Sequence, residues 1–221
     1  MFKKQGWHVL SLVVSLIILS LVVDDQLLSG ELWGISTGTW FWIAVAVPIV
    51  HQIVVPLIWR AELYHQWMTK TFGGNGFLIY KIIFTILFVG RPLSIILVGI
   101  ANKNTLPMNP VIAYVVAFLF FLPAAYGMFS VIKYFGIDRA YGIDHFEPEV
   151  YRNKPLVKQG MFKYTDNVMY KYIFLVLWSL AMIFLSRAAL LVAIFNHIYI
   201  WVHYYFTELP DMKVIYAERS E

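Results

Sequence analysis

The sequence predicts an all-α fold, a polytopic bundle of membrane helices. Hydrophobic residues make up 60% of the 221 and charged residues only 14%, against about 25% charged in a soluble domain. Apolar stretches near the ~20 residues that a helix needs to cross a bilayer recur along the chain. The basic residues then gather on one side of those stretches.

The first stretch, residues 7–23, follows Lys3 and Lys4 and ends at Asp24-Asp25. No small-residue cleavage site follows it, so it reads as a retained anchor and not as a signal peptide. Residues 40–59, 77–101 and 110–135 form three further spans. The last apolar run, 170–206, is too long for one crossing, and Ser186-Arg187 divides it into a hairpin of helices at 170–185 and 188–206. The expectation is four spans plus a C-terminal helical hairpin, about six membrane helices. They form one membrane domain over residues 1–221. Residues 1–136 hold the four spans, and 137–221 hold a cytoplasmic loop region, the hairpin and the tail.

Orientation follows from the basic residues. With the N-terminus cytoplasmic, 14 of the 17 lysines and arginines lie inside. These include Lys3, Lys4, Arg60, Lys70, Lys81, Lys213, Arg219 and seven between Lys133 and Lys171. Lys103 and Arg187 lie outside, and Arg91 falls within a span. Both termini are therefore expected on the cytoplasmic side. The polar segment 136–169 shares that side. It is rich in turn formers and aromatics such as Phe146, Tyr151 and Phe162, unlike a disordered linker, and loops of this length tend to be functional.

The chain has no cysteine, which excludes disulfides, thiol catalysis and thiolate zinc sites. It has no phosphate loop and no dinucleotide fingerprint, and Gly73-Gly74-Asn75-Gly76 reads as a connector. The expected partner is a membrane lipid or another membrane-soluble small molecule, not nucleic acid.

The last helix carries a polar stripe. His197, Trp201, Tyr204 and Glu208 recur at i, i+4, i+7 and i+11, within about 60° of arc at 100° per residue. Asn196 and His203 form a second row about 100° away. An interfacial aromatic belt accounts for the aromatics, but the ionisable groups point to a site lining. His197 and His203 are six apart and face different ways, so no metal site is expected. Arg91, between Gly90 and Pro92, needs a partner inside the membrane. Either an anion such as a lipid phosphate, making Arg91 a substrate contact, or a backbone carbonyl at the Pro92 kink would serve. His51 and Gln52, between Pro48 and Pro56, read as a polar contact in a kinked helix.

The run Gly160-Met161-Phe162-Lys163-Tyr164-Thr165-Asp166-Asn167-Val168-Met169-Tyr170 precedes the hairpin, and Glu208 and Tyr216 follow it eight residues apart. Over about 60 residues this resembles the membrane methyltransferases that include phosphatidylethanolamine N-methyltransferase and isoprenylcysteine carboxyl methyltransferase. The lipid enzymes are the nearer match, with a D-N-P-M-Y run before the hairpin and an acidic pair after it. Val168 replaces the proline of that run and Leu209 the second acid. The resemblance implies S-adenosylmethionine as methyl donor. It places a cofactor site among Gly160, Phe162, Tyr164, Asp166, Asn167, Tyr170, His197, Trp201, Tyr204 and Glu208. The aromatics would face the sulfonium, Asp166 and Asn167 would cap the hairpin and meet the cofactor's polar end, and Glu208 would take its ammonium or ribose hydroxyls. For an amine acceptor, His203 or Asp166 is the candidate base. A lipid-binding or assembly protein that kept the fold is the alternative. A sterol-type reductase is a further rival, although those enzymes are longer.

Overall fold

The computed structural model describes residues 3–216; Arg219 lies outside them. Five helices are long and apolar enough to cross a membrane: Gln5–Val22, Thr37–His65, Trp67–Ala101, Pro110–Phe135 and Arg187–Ile215. A sixth, Met169–Ile183, is apolar but shorter. The protein is thus a polytopic integral membrane bundle, and the hairpin expected from Ser186 is present with a short first arm.

The first helix, α1 (Gln5–Val22), turns most of its surface outward and buries His8 and Leu19. Its exposed side carries Val9, Leu10, Val13, Ile17 and Leu21, as a lipid-facing helix requires. A two-residue β-ribbon, β1 (Glu31–Leu32) and β2 (Ile35–Ser36), leads into α2 (Thr37–His65). Ser36 starts α2 by accepting from the Thr39 amide, an N-cap in the usual sense. A short α3 (Trp67–Phe72) and a turn at Gly73–Asn75 precede α4 (Gly76–Ala101). Asn109 caps α5 (Pro110–Ser130) through the Val111 and Ile112 amides, and Pro110 occupies the first turn, where its missing N–H costs nothing.

The polar segment is built from α6 (Ile137–Ala140), α7 (Pro148–Tyr151) and short turns. The hairpin consists of α8 (Leu175–Ile183) and α9 (Arg187–His203), followed by α10 (Leu209–Ile215). Ser186 caps α9 by accepting from Ala189. Ala181, Ala188, Ala189 and Ala193 are fully buried between α8, α9 and their neighbours; small side chains at such contacts let helices approach closely.

Two polar ends result. At one, Asn102 ties three connections together. Its amide nitrogen donates to the carbonyls of Leu27 and Ser29, and its oxygen accepts from Ser186 Oγ and the Ala188 amide. At the other, Arg60 donates to the Lys3 carbonyl and to Asp211 of α10. Both described ends of the chain therefore lie on the same face as the 136–168 segment, the arrangement the basic residues demand. Three π-helical turns, Val131–Phe135, Met169–Ile173 and Tyr204–Glu208, also lie in this half. Such turns add a residue to the helical ring and are frequent at functional sites.

Candidate functional site

A cavity of about 240 Å³ opens between α2, α4, the end of α5, the start of the hairpin and α9. One wall is His51, Gln52, Val55, Trp59, Phe84, Phe88 and Arg91, from α2 and α4. The other is Met128, Val131, Ile137, Ala140, Tyr141, Met169, Tyr170, Ile173, Phe174, Ile200 and His203. The lining is apolar and aromatic with a few convergent polar groups, the usual make-up of a small-molecule site.

Arg91 is 2% exposed. Its Nε donates to His51 Nδ1 at 3.0 Å and Nη1 to Asn196 Oδ1 at 3.4 Å, and the guanidinium lies 5.4 Å from the Phe174 ring centre. The Pro92 kink carbonyl is not among these partners. His51 is satisfied by Arg91, whereas both amide atoms of Gln52 are buried without a close hydrogen-bond partner among the described residues.

Tyr170 and Glu208 meet directly, the hydroxyl donating to Glu208 Oε2. Tyr170 is delivered by the π turn before α8 and Glu208 by the π turn after α9. Phe174, Trp201 and Tyr204 stand edge-on around the Tyr170 ring, with centroids 6.3, 6.1 and 5.9 Å away. His203 is buried on the cavity wall, beside Trp59 at 5.7 Å and His8 at 6.4 Å, and its Nδ1 has no partner among the described residues.

Below the cavity lies a charged cluster that sequence reasoning missed. Arg60 Nε bonds both oxygens of Asp211 at 3.0 Å. His145 Nδ1 meets Asp144 Oδ1 at 3.1 Å, and its Nε2 stands 3.8 Å from Asp211 Oδ2. Tyr216 donates to Asp144 Oδ2 at 3.0 Å and accepts from Arg139 at 3.1 Å. Burial disfavours charge on His145, but Asp144 and Asp211 outweigh it and push its pKa up to about 9. Burial likewise opposes the Asp144 carboxylate, and His145, Tyr216 and Arg139 together hold its pKa below the usual value. Tyr216 is pushed up by burial and by Asp144. These pairings span the sequence, with Arg60 and Asp211 separated by 151 positions, so no local pattern marks them. The one available signal was the presence of Asp144, His145 and Asp211 in otherwise apolar, aromatic surroundings.

The residues singled out by sequence fall into two groups. Tyr170, Trp201, Tyr204 and Glu208 converge, and His203 and Arg91 reach the cavity. His197 accepts from Trp178 Nε1 at 3.0 Å on the α8 side. The remainder serve the loop. Gly160 holds a φ of +57°, where a Cβ would meet Ser130 and Tyr134. Phe162 stacks on Phe135 at 5.2 Å. Tyr164 is 73% exposed, and Asp166 is exposed and bonded to Lys158 at 2.8 Å, so neither lines the cavity. The carbonyl of Asn167 accepts from the Lys171 amide at the start of the hairpin. Val168, at the proline position of the resembled run, is 1% exposed in a core with Val131, Met161, Phe162 and Ile173.

Residues 112–219 match the model of the phospholipid methyltransferase family. No curated protein and no solved structure matches the chain. The matched segment supplies the second cavity wall, Tyr170, His203 and Glu208. The first wall, with His51, Gln52 and Arg91, lies outside it.

Proposed function

We propose, for a chain whose C-terminal half is of the phospholipid methyltransferase family, that it is a membrane methyltransferase using S-adenosylmethionine on a lipid or other membrane-soluble acceptor. The observation that carries this reading is the Tyr170–Glu208 pair. Both residues stand in the runs that resemble the family, both come from π turns, and an aromatic corner surrounds them at the cavity edge.

The residues fit the cofactor's chemistry. Glu208 offers a carboxylate to an ammonium or hydroxyls, through charge-assisted bonds. Tyr170, Trp201, Tyr204 and Phe174 offer π faces, which attract a sulfonium as they do other cations. When bound, S-adenosylmethionine would supply an electrophilic methyl group to the acceptor's lone pair, with the sulfonium sulfur leaving as a thioether, and an amine acceptor would shed a proton. The chain needs to align two reactants and exclude water more than to supply acids and bases. The apolar wall of Val55, Phe84, Phe88, Met128 and Ile173 does the excluding. For an amine, the unpartnered Nδ1 of His203 on the wall is the group placed to take the proton; Asp166 stands outside. The same end of the bundle faces the cytoplasm in this proposal, where the cofactor is soluble.

The test is calorimetry with the detergent-purified protein and S-adenosylmethionine, alongside transfer of a labelled methyl group into a total membrane lipid extract. Micromolar binding, about 8 kcal/mol, and label in the organic phase are expected. A folded protein that binds nothing at millimolar cofactor would instead be a family member without the chemistry.

A further inference from the structure

The guanidinium of Arg91 is the one formal charge on the cavity wall among the described residues, and no carboxylate of those residues pairs with it. Its hydrogen-bond partners are a ring nitrogen of His51 and the amide oxygen of Asn196, and its Nη2 is buried with no partner. A guanidinium presents five N–H donors in a planar fork suited to a carboxylate or phosphate. A buried and uncompensated charge is expensive, and more so at membrane depth. Neutral residues would fill this corner at lower cost. The adjoining Gln52 has both amide atoms buried with no hydrogen bond within 3.5 Å among the described residues, although it stands close enough to His8 to interact with it. Arg91 and Gln52 line the cavity from α4 and α2, outside the segment that matches the family, and Arg91 reaches Asn196 and Phe174 of that segment.

We infer that Arg91 is the anion-holding residue of the site: its free Nη2 face binds a carboxylate or phosphate oxygen of a ligand whose apolar body fills the cavity, with Gln52 supplying a further bond. This rests on the cavity being the place where cofactor and acceptor meet. Two ligands could bring the oxyanion, an acidic acceptor amphiphile or the cofactor through its own carboxylate. Arg91 lies on α4, outside the family-matched segment that carries Tyr170 and Glu208, which favours the acceptor and makes Arg91 the residue by which this chain selects acidic acceptors.

The experiment measures binding to the full-length protein in nanodiscs of neutral lipid. One arm compares dodecyl phosphate with dodecanol; the other compares S-adenosylmethionine with its decarboxylated analogue. Wild type should prefer dodecyl phosphate by about tenfold or more, the worth of a charge-assisted bond. Arg91→Gln should abolish the preference and Arg91→Lys retain part of it, while the cofactor ratio is the same in all three. If the cofactor ratio is what Arg91→Gln removes, the oxyanion is the cofactor's carboxylate, and the assignment of Arg91 stands with that source. If wild type shows no preference in either arm, the guanidinium is structural and the inference is overturned, even should Arg91→Gln fail to fold. Failure of the proposed function reads differently, as no cofactor binding in any variant.

Discussion

Trp59 stacks on His145, with ring centroids 4.3 Å apart and planes 18° from parallel. Trp59 belongs to a membrane helix and lines the cavity; His145 belongs to the polar segment and joins Asp144 and Asp211. Gly142, at a φ of +90°, lets the segment approach, because a Cβ there would meet the Trp59 ring at 2.6 Å. The stack and the charge cluster together clamp the segment and the tail helix onto the cavity floor.

That clamp should titrate. The His145 pKa is raised from 6.5 to about 9, so its contribution to stability is complete below about pH 6.5 and is lost as pH rises toward 9. Asp144 is shifted the other way, and its contribution is lost as pH falls through the acid range. Thermal melts in detergent should therefore show a fall between pH 6.5 and 9 that His145→Gln flattens. An unchanged slope in that variant would show that His145 is not charged in the fold.

Asn102 offers a prediction at the opposite end. It is 1% exposed and joins the Leu27–Ser29 turn, Thr105 and the hairpin turn at Ser186. Asn102→Leu leaves Ser186, the Ala188 amide and two carbonyls short of a partner, at roughly 1–3 kcal/mol for each group that stays buried and unsatisfied. The melting temperature should drop by several degrees, while cofactor affinity at low temperature stays at the wild-type value.

Topology is tested by labelling, and the absence of native cysteine makes single-cysteine variants clean. Lys103 and Asn153 are exposed at opposite ends of the bundle. The positive-inside asymmetry places Asn153 with both termini in the cytoplasm and Lys103 outside. Membrane-impermeant reagent added to intact cells should modify Lys103→Cys and spare Asn153→Cys. Labelling of both from outside would remove the proposed orientation.

The spans were legible because lipid imposes a length and a polarity that composition cannot hide. The hairpin turn was legible because Ser186 and Arg187 interrupt an apolar run, and Ser186 indeed caps α9. At 100° per residue the last helix carries two polar rows, and the second, Asn196 and His203, is the more deeply buried, at 0% and 3% exposure. Beyond Tyr204 the π turn changes the register by which Glu208 was placed, and an i→i+5 turn leaves no mark in residue spacing. Tyr170 was found by resemblance alone, and Glu208 by both the polar stripe and the resemblance. The partners of Arg91 depend on three helices meeting, which no single helix announces.

Glu208→Gln is the sharpest test of the site. Glu208 lies within the continuous helix Arg187–Ile215, between the π turn and α10, where the loss of water disfavours a carboxylate. The basic residues of the loop do not neutralise it: Lys158 is bonded to Asp166, and Arg152 to Glu149 and the Ile215 carbonyl. Its partner is the Tyr170 hydroxyl, a neutral donor that orients the carboxyl group. If that charge serves the cofactor, the glutamine variant keeps the shape and the Tyr170 bond, melts at or above the wild-type temperature, and binds S-adenosylmethionine roughly tenfold to a hundredfold more weakly. Tyr170→Phe, which keeps the ring and frees the carboxylate, should lose less affinity. Unchanged affinity with a lowered melting temperature in Glu208→Gln would instead make the pair a structural latch between the two π turns, and would move the search for the cofactor's polar end to Arg91 and Gln52.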